Sequence, residues 1–222
     1  MTWKFDKKIT KIFDDHIIRS VPGYIDGHDF IISASKNILS NGSKVLDVGC
    51  SNGSLLNKID KKLGLDISYY GIDISKDMIT SAKKNKTSKR INFYDKEIHQ
   101  LKNKDFDLII SYFTLQFVSP SKKISFIKNV YNKLNNNCYF LIFEKVIEKS
   151  GFMQNFLNLA YNDFKEKNQF SPEEIYKKTN SLRGAMHPLT REENYKNFRL
   201  CKFKNINLLY KNMFFEGYIM KK

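Results

Sequence analysis

Cysteine is scarce in this 222-residue chain, which contains only three: Cys50, Cys138 and Cys201. Because their number is odd and their spacing is wide, the sequence predicts neither a disulfide framework nor a zinc site. We therefore expect no bound metal, and a reducing compartment such as the cytoplasm.

Long apolar runs are also missing from the sequence. No run approaches the roughly 18 apolar residues of a membrane-spanning helix, and the first residues, MTWKFD, lack the apolar segment of a signal peptide. We therefore expect a cytoplasmic protein with no membrane partner. Since 41% of the residues are hydrophobic, the chain has core material for one α/β domain over residues 1–222, and it is short for two.

Acidic residues are outnumbered, since 23 acidic against 38 basic side chains give a net charge of +15 at pH 7. Such an excess is typical of proteins that bind nucleic acid. Here, however, it consists mainly of scattered lysines, whereas arginine, which makes bidentate contacts to phosphates and bases, is rare. We favour a compositional bias toward lysine and asparagine, and keep nucleic acid as an alternative partner.

Short apolar runs alternate with amphipathic stretches, which is typical of βαβ units and a parallel sheet. The apolar runs predict seven strands, at residues 44–48, 69–73, 91–94, 106–111, 139–143, 206–210 and 213–220. Helical spacing of apolar residues predicts helices over residues 7–18, 27–40, 54–61, 75–85, 152–167, 172–183 and 191–199, with a further helix after Ser119. We divide the chain into an N-terminal helical cap (1–40), a ligand-binding core (41–150), a helical region for substrate or dimer contacts (151–200) and closing strands (201–222).

A glycine-bearing loop with the sequence DVGCSNG follows the first predicted strand, at residues 47–53. Glycine lets the backbone turn sharply and approach a ligand closely, and ligands of open α/β sheets bind beyond the carboxyl ends of the strands. The pattern is neither the dinucleotide motif G-x-G-x-x-G nor a phosphate-binding loop. The alternative is an ordinary strand-to-helix turn. Nothing nearby in the sequence activates the Cys50 thiol, so we expect its backbone to serve the loop.

Two acids follow the next strands. Asp73 ends the second strand, where a carboxylate can accept hydrogen bonds from both hydroxyls of a ribose. The alternative for Asp73 is an acid that starts the next helix near Ser75. Asp95 follows the third strand, and its alternative is a surface turn residue.

The loop, with an acid before its two glycines, resembles motif I of class I S-adenosylmethionine (SAM) methyltransferases. Nearly the whole chain resembles carboxy-SAM synthase, the SAM-fold enzyme of tRNA wobble-uridine modification, through RSVPGY at 19–24, FTLQF at 113–117 and shorter matches at 13–15, 144–145, 163–165 and 171–175. The resemblance implies a homodimer and a Rossmann-like seven-stranded class I methyltransferase sheet, with N-terminal helices and a helical insertion before the last two strands. It also implies SAM, carboxy-SAM or S-adenosylhomocysteine as cofactor, with Asp95 facing the adenine amino group; the implied contacts are Tyr24, Asp47, Gly49, Cys50, Ser51, Gly53, Asp73, Ile74, Asp95, Lys96 and Tyr112.

In that family the SAM methyl group is deprotonated and captures the carbon dioxide lost from prephenate. This chain departs from the family at two positions: Tyr112 replaces the Asn before FTLQF, and Thr179 replaces an Arg that clamps the new carboxylate. Threonine offers no charged fork to a carboxylate. Arg183, four residues later, would share a helix face with Thr179 and is the candidate substitute, or a solvated helix residue.

The leading hypothesis is therefore a SAM-dependent methyltransferase with an unknown acceptor. The alternatives are a carboxy-SAM synthase that uses prephenate, with Arg183 as its clamp, and a non-catalytic SAM- or RNA-binding module. The candidate catalytic residues are Tyr112, Arg183 and His187, of which His187 is either a base near the sulfur or a structural residue beside Pro188. Glu144 is either a pocket acid or half of an ion pair with a lysine.

Overall fold

A computed structural model of the protein describes residues 7–222, with side chains from Phe13 onward. The described residues form eight α-helices: α1 Lys7–Ser20, α2 Tyr24–Ile38, α3 Ser54–Leu63, α4 Lys76–Asn85, α5 Pro120–Lys133, α6 Gly151–Lys167, α7 Pro172–Leu182 and α8 Arg191–Leu200. They also form eight strands: β1 Lys44–Val48, β2 Ser68–Asp73, β3 Ile91–Asp95, β4 Phe106–Tyr112, β5 Leu134–Ile147, β6 Leu189–Thr190, β7 Lys204–Asn212 and β8 Phe215–Lys221. The predicted alternation of strands and helices, and with it the α/β fold class, is confirmed.

The sheet has the strand order β3-β2-β1-β4-β5-β8-β7, with β6 attached to β5. Strands β1 to β5 pair in parallel, whereas β8 pairs antiparallel with both β5 and β7. The predicted count of seven strands was wrong by one, because Leu189 and Thr190 add a short parallel pairing to Val146 and Ile147. A two-residue strand has no apolar periodicity by which the sequence could reveal it.

Each face of the sheet carries its own apolar core. Ile110 packs in one cluster with residues of α2 and α3, whereas its neighbour Ile109 packs in the other with residues of α5 and α8. Val45 and Leu46 divide between the two clusters in the same way. Successive side chains of a strand point to opposite faces, so strands covered by helices on both sides read as continuous apolar runs.

The helix α2 begins at Tyr24, three residues before the predicted start at residue 27. Gly23 adopts the left-handed conformation, with φ of 68°, and its carbonyl already accepts a hydrogen bond from the Gly27 N–H at 2.9 Å. The first turn of α2 is therefore set by the backbone of Gly23, and the periodicity of apolar residues gives no sign of it. The turn sets the direction in which α2 leaves the end of α1.

The predicted division of the chain into regions stays a prediction, and residues 1–6 of the predicted cap lie outside the described residues. Among residues 7–222, none of the helices combines the length and the apolar character needed to cross a bilayer. The carboxyl ends of β1, β2, β4 and β5 open into one cavity, which residues of α1, α2, α6 and α7 also line.

Candidate active site

The glycine loop after β1 is held close to the second strand and to the FTLQF segment. The backbone N–H groups of Gly49 and Cys50 both donate to the Ile72 carbonyl, at 2.8 and 3.0 Å. Gly49 has a φ of 78°, and a Cβ added to it would lie 2.1 Å from Thr114 Oγ1. The loop therefore requires glycine at position 49, both for its conformation and for the close approach of Thr114.

Asp73 joins this loop to the start of α4. Its Oδ2 accepts a hydrogen bond from the Ser51 N–H at 3.0 Å, and its Oδ1 accepts one from the Ser75 N–H at 2.8 Å. Burial raises the pKa of Asp73, while the N–H groups of Ser75 and Ser51 act to lower it. Asp73 also lines the cavity, so the carboxylate that orders the loop can accept a ribose hydroxyl as well. Ser75 itself caps α4, since its Oγ accepts from the Met78 N–H.

Asp47, at the foot of the loop, carries a buried oxygen without a partner. Among the residues that the structure describes, nothing hydrogen-bonds to Asp47 Oδ1. Burial, with a smaller effect of Asp73, raises the pKa of Asp47 to about 8. An unpaired carboxylate oxygen at the cavity wall is costly by itself, and the amino group of SAM is a cation that can satisfy it. The carboxylate acceptors of Asp47 and Asp73 therefore fit the amino group and the ribose of SAM.

The predicted adenine side is more open. Ile74 lines the cavity with 75% of its surface exposed, which offers an apolar face to a base, and Lys96 lies beside it. Asp95 does not line this cavity but a small adjoining pocket, which it shares with Ile74 and Lys96. Gly53 lies behind the loop at the start of α3, against the Phe93 ring. The structure thus brings Ile74 and Lys96 to the cavity, and leaves Asp95 at its rim and Gly53 behind it.

An aromatic wall closes the opposite side of the loop. The Tyr112 hydroxyl donates to the Tyr24 carbonyl at 2.6 Å, and the Tyr112 ring lies 5.1 Å from that of Tyr24 and 4.9 Å from that of His28. Burial raises the pKa of both tyrosines, which keeps them protonated. Tyr112 therefore fixes the end of RSVPGY to the end of β4, and all three rings line the cavity.

His28 was not singled out in the sequence, because a lone histidine on a helix carries no motif. Burial, with the nearby Lys58 ammonium, lowers its pKa to about 3. Its Nδ1 lies 3.2 Å from Lys58 Nζ and accepts a hydrogen bond from that ammonium, so the neutral ring carries its hydrogen on Nε2. Among the described residues nothing accepts from His28 Nε2. The residues that line the cavity thus include one with an unsatisfied donor, His28, and one with an unsatisfied acceptor, Asp47.

The FTLQF segment forms a short 3₁₀ helix, Leu115–Phe117, that Glu144 supports. Glu144 Oε1 accepts from the Leu115 N–H at 2.9 Å, and Lys123 Nζ donates to the Leu115 carbonyl at 2.6 Å. Burial raises the pKa of Glu144 to about 8, against the opposing effect of Lys123. The side chain is buried and does not line the cavity. Glu144 therefore anchors the segment and is not the pocket acid that one of the two sequence interpretations made it.

The far wall of the cavity is cationic, which sequence reasoning missed. Lys145 on β5, Lys165 on α6 and Lys178 on α7 all line it. Burial lowers the pKa of Lys145 and of Lys165 to about 8, and that of Lys178 to about 7. In a lysine-rich sequence nothing distinguishes a buried lysine from a surface one. For Lys145 and Lys165 the only available signal was their place within the segments 144–145 and 163–165, which resemble the family, and Lys178 lies outside every such segment.

The structure places the candidate clamp residues Thr179 and Arg183, and the candidate base His187, differently from what the sequence predicted. The hydroxyl of Thr179 donates to the Ile175 carbonyl of its own helix at 2.8 Å. Arg183 lines the cavity, but it is the C-cap of α7 with ψ of 127°, so the predicted shared helix face with Thr179 was wrong. The helix ends at Leu182 because Gly184, with φ of 72°, follows. His187 donates its backbone N–H to the Gln116 carbonyl, and its side chain does not line the cavity.

These walls enclose one continuous cavity of about 1930 Å³, from the glycine loop to the three lysines. Such a volume exceeds what one drug-sized ligand requires. It can therefore hold a nucleoside cofactor at the strand ends and a second, smaller molecule at the lysine side.

Comparison with known proteins agrees with this geometry. Residues 39–199 match the methyltransferase domain family. The carboxy-S-adenosyl-L-methionine synthase of Staphylococcus epidermidis is 32% identical over 99% of this chain and 97% of its own length, and that of Nautilia profundicola is 31% identical over 94% and 90%. These relatives extend the similarity beyond the domain to both ends of the chain.

Solved structures show the same fold at low sequence identity. A SAM-dependent methyltransferase from Aquifex aeolicus superposes with a TM-score of 0.63 at 17% identity, over 98% of both chains. Human N-acetylserotonin methyltransferase in complex with SAM superposes with a TM-score of 0.59 at 12% identity, over 93% of this chain and 57% of its own. SAM is thus the cofactor that the fold, the family and the loop geometry share. The chain belongs to the methyltransferase domain family that includes the carboxy-S-adenosyl-L-methionine synthases, and it is a SAM-dependent transferase.

Proposed function

We propose that this transferase is a carboxy-SAM synthase that uses prephenate, the reading that the sequence placed second. The observation that carries the proposal is the cationic far wall, where Lys145, Lys165 and Lys178 line the same cavity as the glycine loop. A neutral methyl acceptor needs no such wall, since methyl transfer requires mainly that SAM and a nucleophile be held in line. A dicarboxylate such as prephenate does need cationic partners. The similarity to carboxy-SAM synthases over 99% of the chain supports the same choice.

The chain's own residues divide the work between the two ends of the cavity. Asp73 accepts the ribose hydroxyls, Asp47 the amino group, and Ile74 covers the adenine, with Asp95 and Lys96 at its edge. When bound, SAM supplies an activated methyl group. The Tyr24 and Tyr112 rings line the cavity and present apolar surface to the bound substrates. Prephenate loses carbon dioxide and hydroxide and becomes phenylpyruvate. The carbon dioxide bonds to the deprotonated methyl carbon, and the hydroxide combines with the methyl proton to form water.

The test is to incubate the purified protein with SAM and prephenate, denature it, and identify the released nucleosides and acids by mass spectrometry. We expect carboxy-SAM and an equal amount of phenylpyruvate. A protein without prephenate serves as the control for nucleoside carried through purification. Release of SAM or S-adenosylhomocysteine alone, with prephenate unchanged, would contradict the proposal.

A plain methyltransferase is the second candidate, and Thr179 favours it. Its side chain is uncharged and its hydroxyl donates within α7, so the position contributes no carboxylate clamp. This candidate predicts that SAM binds normally, that prephenate is ignored, and that an acceptor becomes methylated with release of S-adenosylhomocysteine. The assay described above separates the two candidates in one experiment.

We also propose that the protein forms a homodimer and supplies carboxy-SAM for tRNA wobble-uridine modification in the cytoplasm. Phe152, Phe156 and Leu159 support the dimer, since they lie along one side of α6 and are 77, 55 and 59% exposed. Apolar side chains at this spacing form a stripe that favours burial against another surface. Analytical ultracentrifugation of the wild type and of Phe156→Lys tests this; a wild-type monomer would contradict it.

A further inference from the structure

Two lysines flank a single aromatic ring in the far wall. Lys145 Nζ lies 4.9 Å from the centre of the Tyr161 ring, and Lys165 Nζ lies 3.8 Å from the same centre. The ring is held in place because the Tyr161 hydroxyl donates to the Ser20 carbonyl at 2.8 Å. A fixed ring thus spaces two ammonium groups at the edge of the cavity, and a face of the ring stabilises each cation.

No acidic side chain neutralises this pair. Among the residues that the structure describes, neither Lys145 nor Lys165 forms a salt bridge with an aspartate or a glutamate. Lys165 is nevertheless only 8% exposed. Charged side chains are rarely buried to this extent without a partner of opposite charge. The arrangement is therefore that of a receptor for an anion.

The third lysine extends the cationic surface from α6 to α7. Lys165 contributes to the low pKa of Lys178, and Lys145 to that of Lys165, each after the larger effect of burial. These mutual effects mean that the three ammonium groups lie near enough to share one electrostatic field. An anion entering that field is attracted by all three. Lysine acts as a point charge, so such a cluster binds a carboxylate without the fork geometry of arginine.

We propose that Lys145, Lys165 and Lys178 bind a carboxylate of the anionic second substrate. They would thus replace the charged carboxylate clamp that the uncharged Thr179 cannot provide. The inference rests on the proposed function, because that function supplies the dicarboxylate. The cluster holds the substrate by its charge at the far wall, which leaves the other end of the molecule toward the glycine loop. The lysines are binding residues and take no part in moving protons.

The test measures prephenate affinity by calorimetry on protein saturated with S-adenosylhomocysteine, which cannot react. Lys145→Met and Lys165→Met are each expected to weaken prephenate binding about tenfold or more, with the affinity for S-adenosylhomocysteine changed less than about twofold. Lys167→Met is the matched control, since Lys167 is exposed on the same helix and does not line the cavity. Lys165→Arg retains the charge and should recover most of the affinity. Phenylpyruvate, a monocarboxylate, and inorganic phosphate are the comparison ligands, and both are expected to bind more weakly.

The outcomes separate this inference from the proposed function. If prephenate binds in a lysine-dependent manner but no carboxy-SAM forms, the proposed function fails and the anion site stands. Prephenate affinity unchanged in both methionine variants, or no measurable binding of prephenate to the wild type, would overturn the inference. An equal loss of S-adenosylhomocysteine affinity would also overturn it, because the lysines would then be supporting the fold. Methionine removes a buried charge at similar volume, so the variants should fold at least as well as the wild type.

Discussion

The two ends of the cavity are built in different ways. At the glycine loop, the chain positions its groups through backbone hydrogen bonds between neighbouring parallel strands, as where Ile72 accepts from both Gly49 and Cys50. At the far wall, three side chains from β5, α6 and α7 converge without a shared backbone ladder. The loop end fixes its ligand by hydrogen bonds at defined positions, whereas the lysine end attracts its ligand by charge.

This difference shows which of the two ligands needs directional contacts. A nucleoside presents several donors and acceptors, so its site is made of short-range, directional contacts. A carboxylate presents one charge, and an electrostatic field with little directional demand suffices. Variants at the loop should therefore cause larger losses than single variants at the lysine wall, where the other two cations remain.

The largest effect is expected for Asp73→Ala. The change removes the acceptor for the Ser51 and Ser75 N–H groups together with the partner of the ribose hydroxyls. We expect SAM affinity to fall by at least about 100-fold, measured by calorimetry. Asp95→Ala is the matched control, because Asp95 pairs in register with Asp73 on the next strand but is exposed at the rim. Its loss should be below about tenfold. SAM affinity within threefold of the wild type in Asp73→Ala would remove the cofactor assignment.

The loop end was predictable from the sequence because its geometry is local. A strand, a glycine turn and an acid at the next strand end follow one another within residues 44–73, and parallel strands bring their carboxyl ends together. The lysine wall was not predictable, since Lys145, Lys165 and Lys178 come from three elements that meet only through tertiary packing. The start of α2 and the two-residue β6 were missed for a similar reason, as each depends on a backbone contact without a side-chain pattern.

Gly49→Ala should have the next largest effect, and it acts on stability. The new Cβ would meet Thr114 Oγ1 at 2.1 Å in a residue whose φ is 78°. Steric overlap and backbone strain together should cost about 3 kcal/mol of unfolding free energy, measured by urea denaturation without ligand. Gly64→Ala provides the comparison, because Gly64 has a φ of 63° but, among the described residues, no heavy atom within 4 Å of the added Cβ. It should cost only about 1 kcal/mol. Equal losses of unfolding free energy in the two variants would mean that the Thr114 side chain moves aside without cost.

Opposite pH dependences should distinguish the two ends. In the free protein the pKa of Asp47 is about 8, so this carboxyl is mostly protonated at pH 7. Part of the free energy of SAM binding at pH 7 is therefore spent on ionising it. SAM affinity should therefore rise about tenfold between pH 6.5 and 8, with release of a proton. Lys145 and Lys165 also have a pKa of about 8, but here the protonated form binds. Because Lys178, with a pKa of about 7, loses its charge over the same range, prephenate affinity should fall more than about tenfold between pH 7 and 9.

Calorimetry in buffers of different ionisation enthalpy measures both slopes. Asp47→Asn should flatten the dependence for SAM, and Lys165→Met should reduce the dependence for prephenate, each without altering the other slope. If both affinities changed with pH in the same direction, a conformational change of the whole protein would explain the data better than two separate sites.

Arg183→Ala should have the smallest effect on ligand affinity. It tests whether Arg183 or the lysines bind the carboxylate of prephenate. Arg183 lines the cavity, but it is exposed and lies outside α7, so water screens its charge and nothing described fixes its side chain. We expect prephenate affinity to fall less than about threefold and SAM affinity to remain unchanged. A loss comparable to that of Lys165→Met would transfer the clamp from the lysines to Arg183, as the sequence first suggested. The comparison is informative because both residues can reach the same cavity, and only Lys165 is buried beside a second, unneutralised cation.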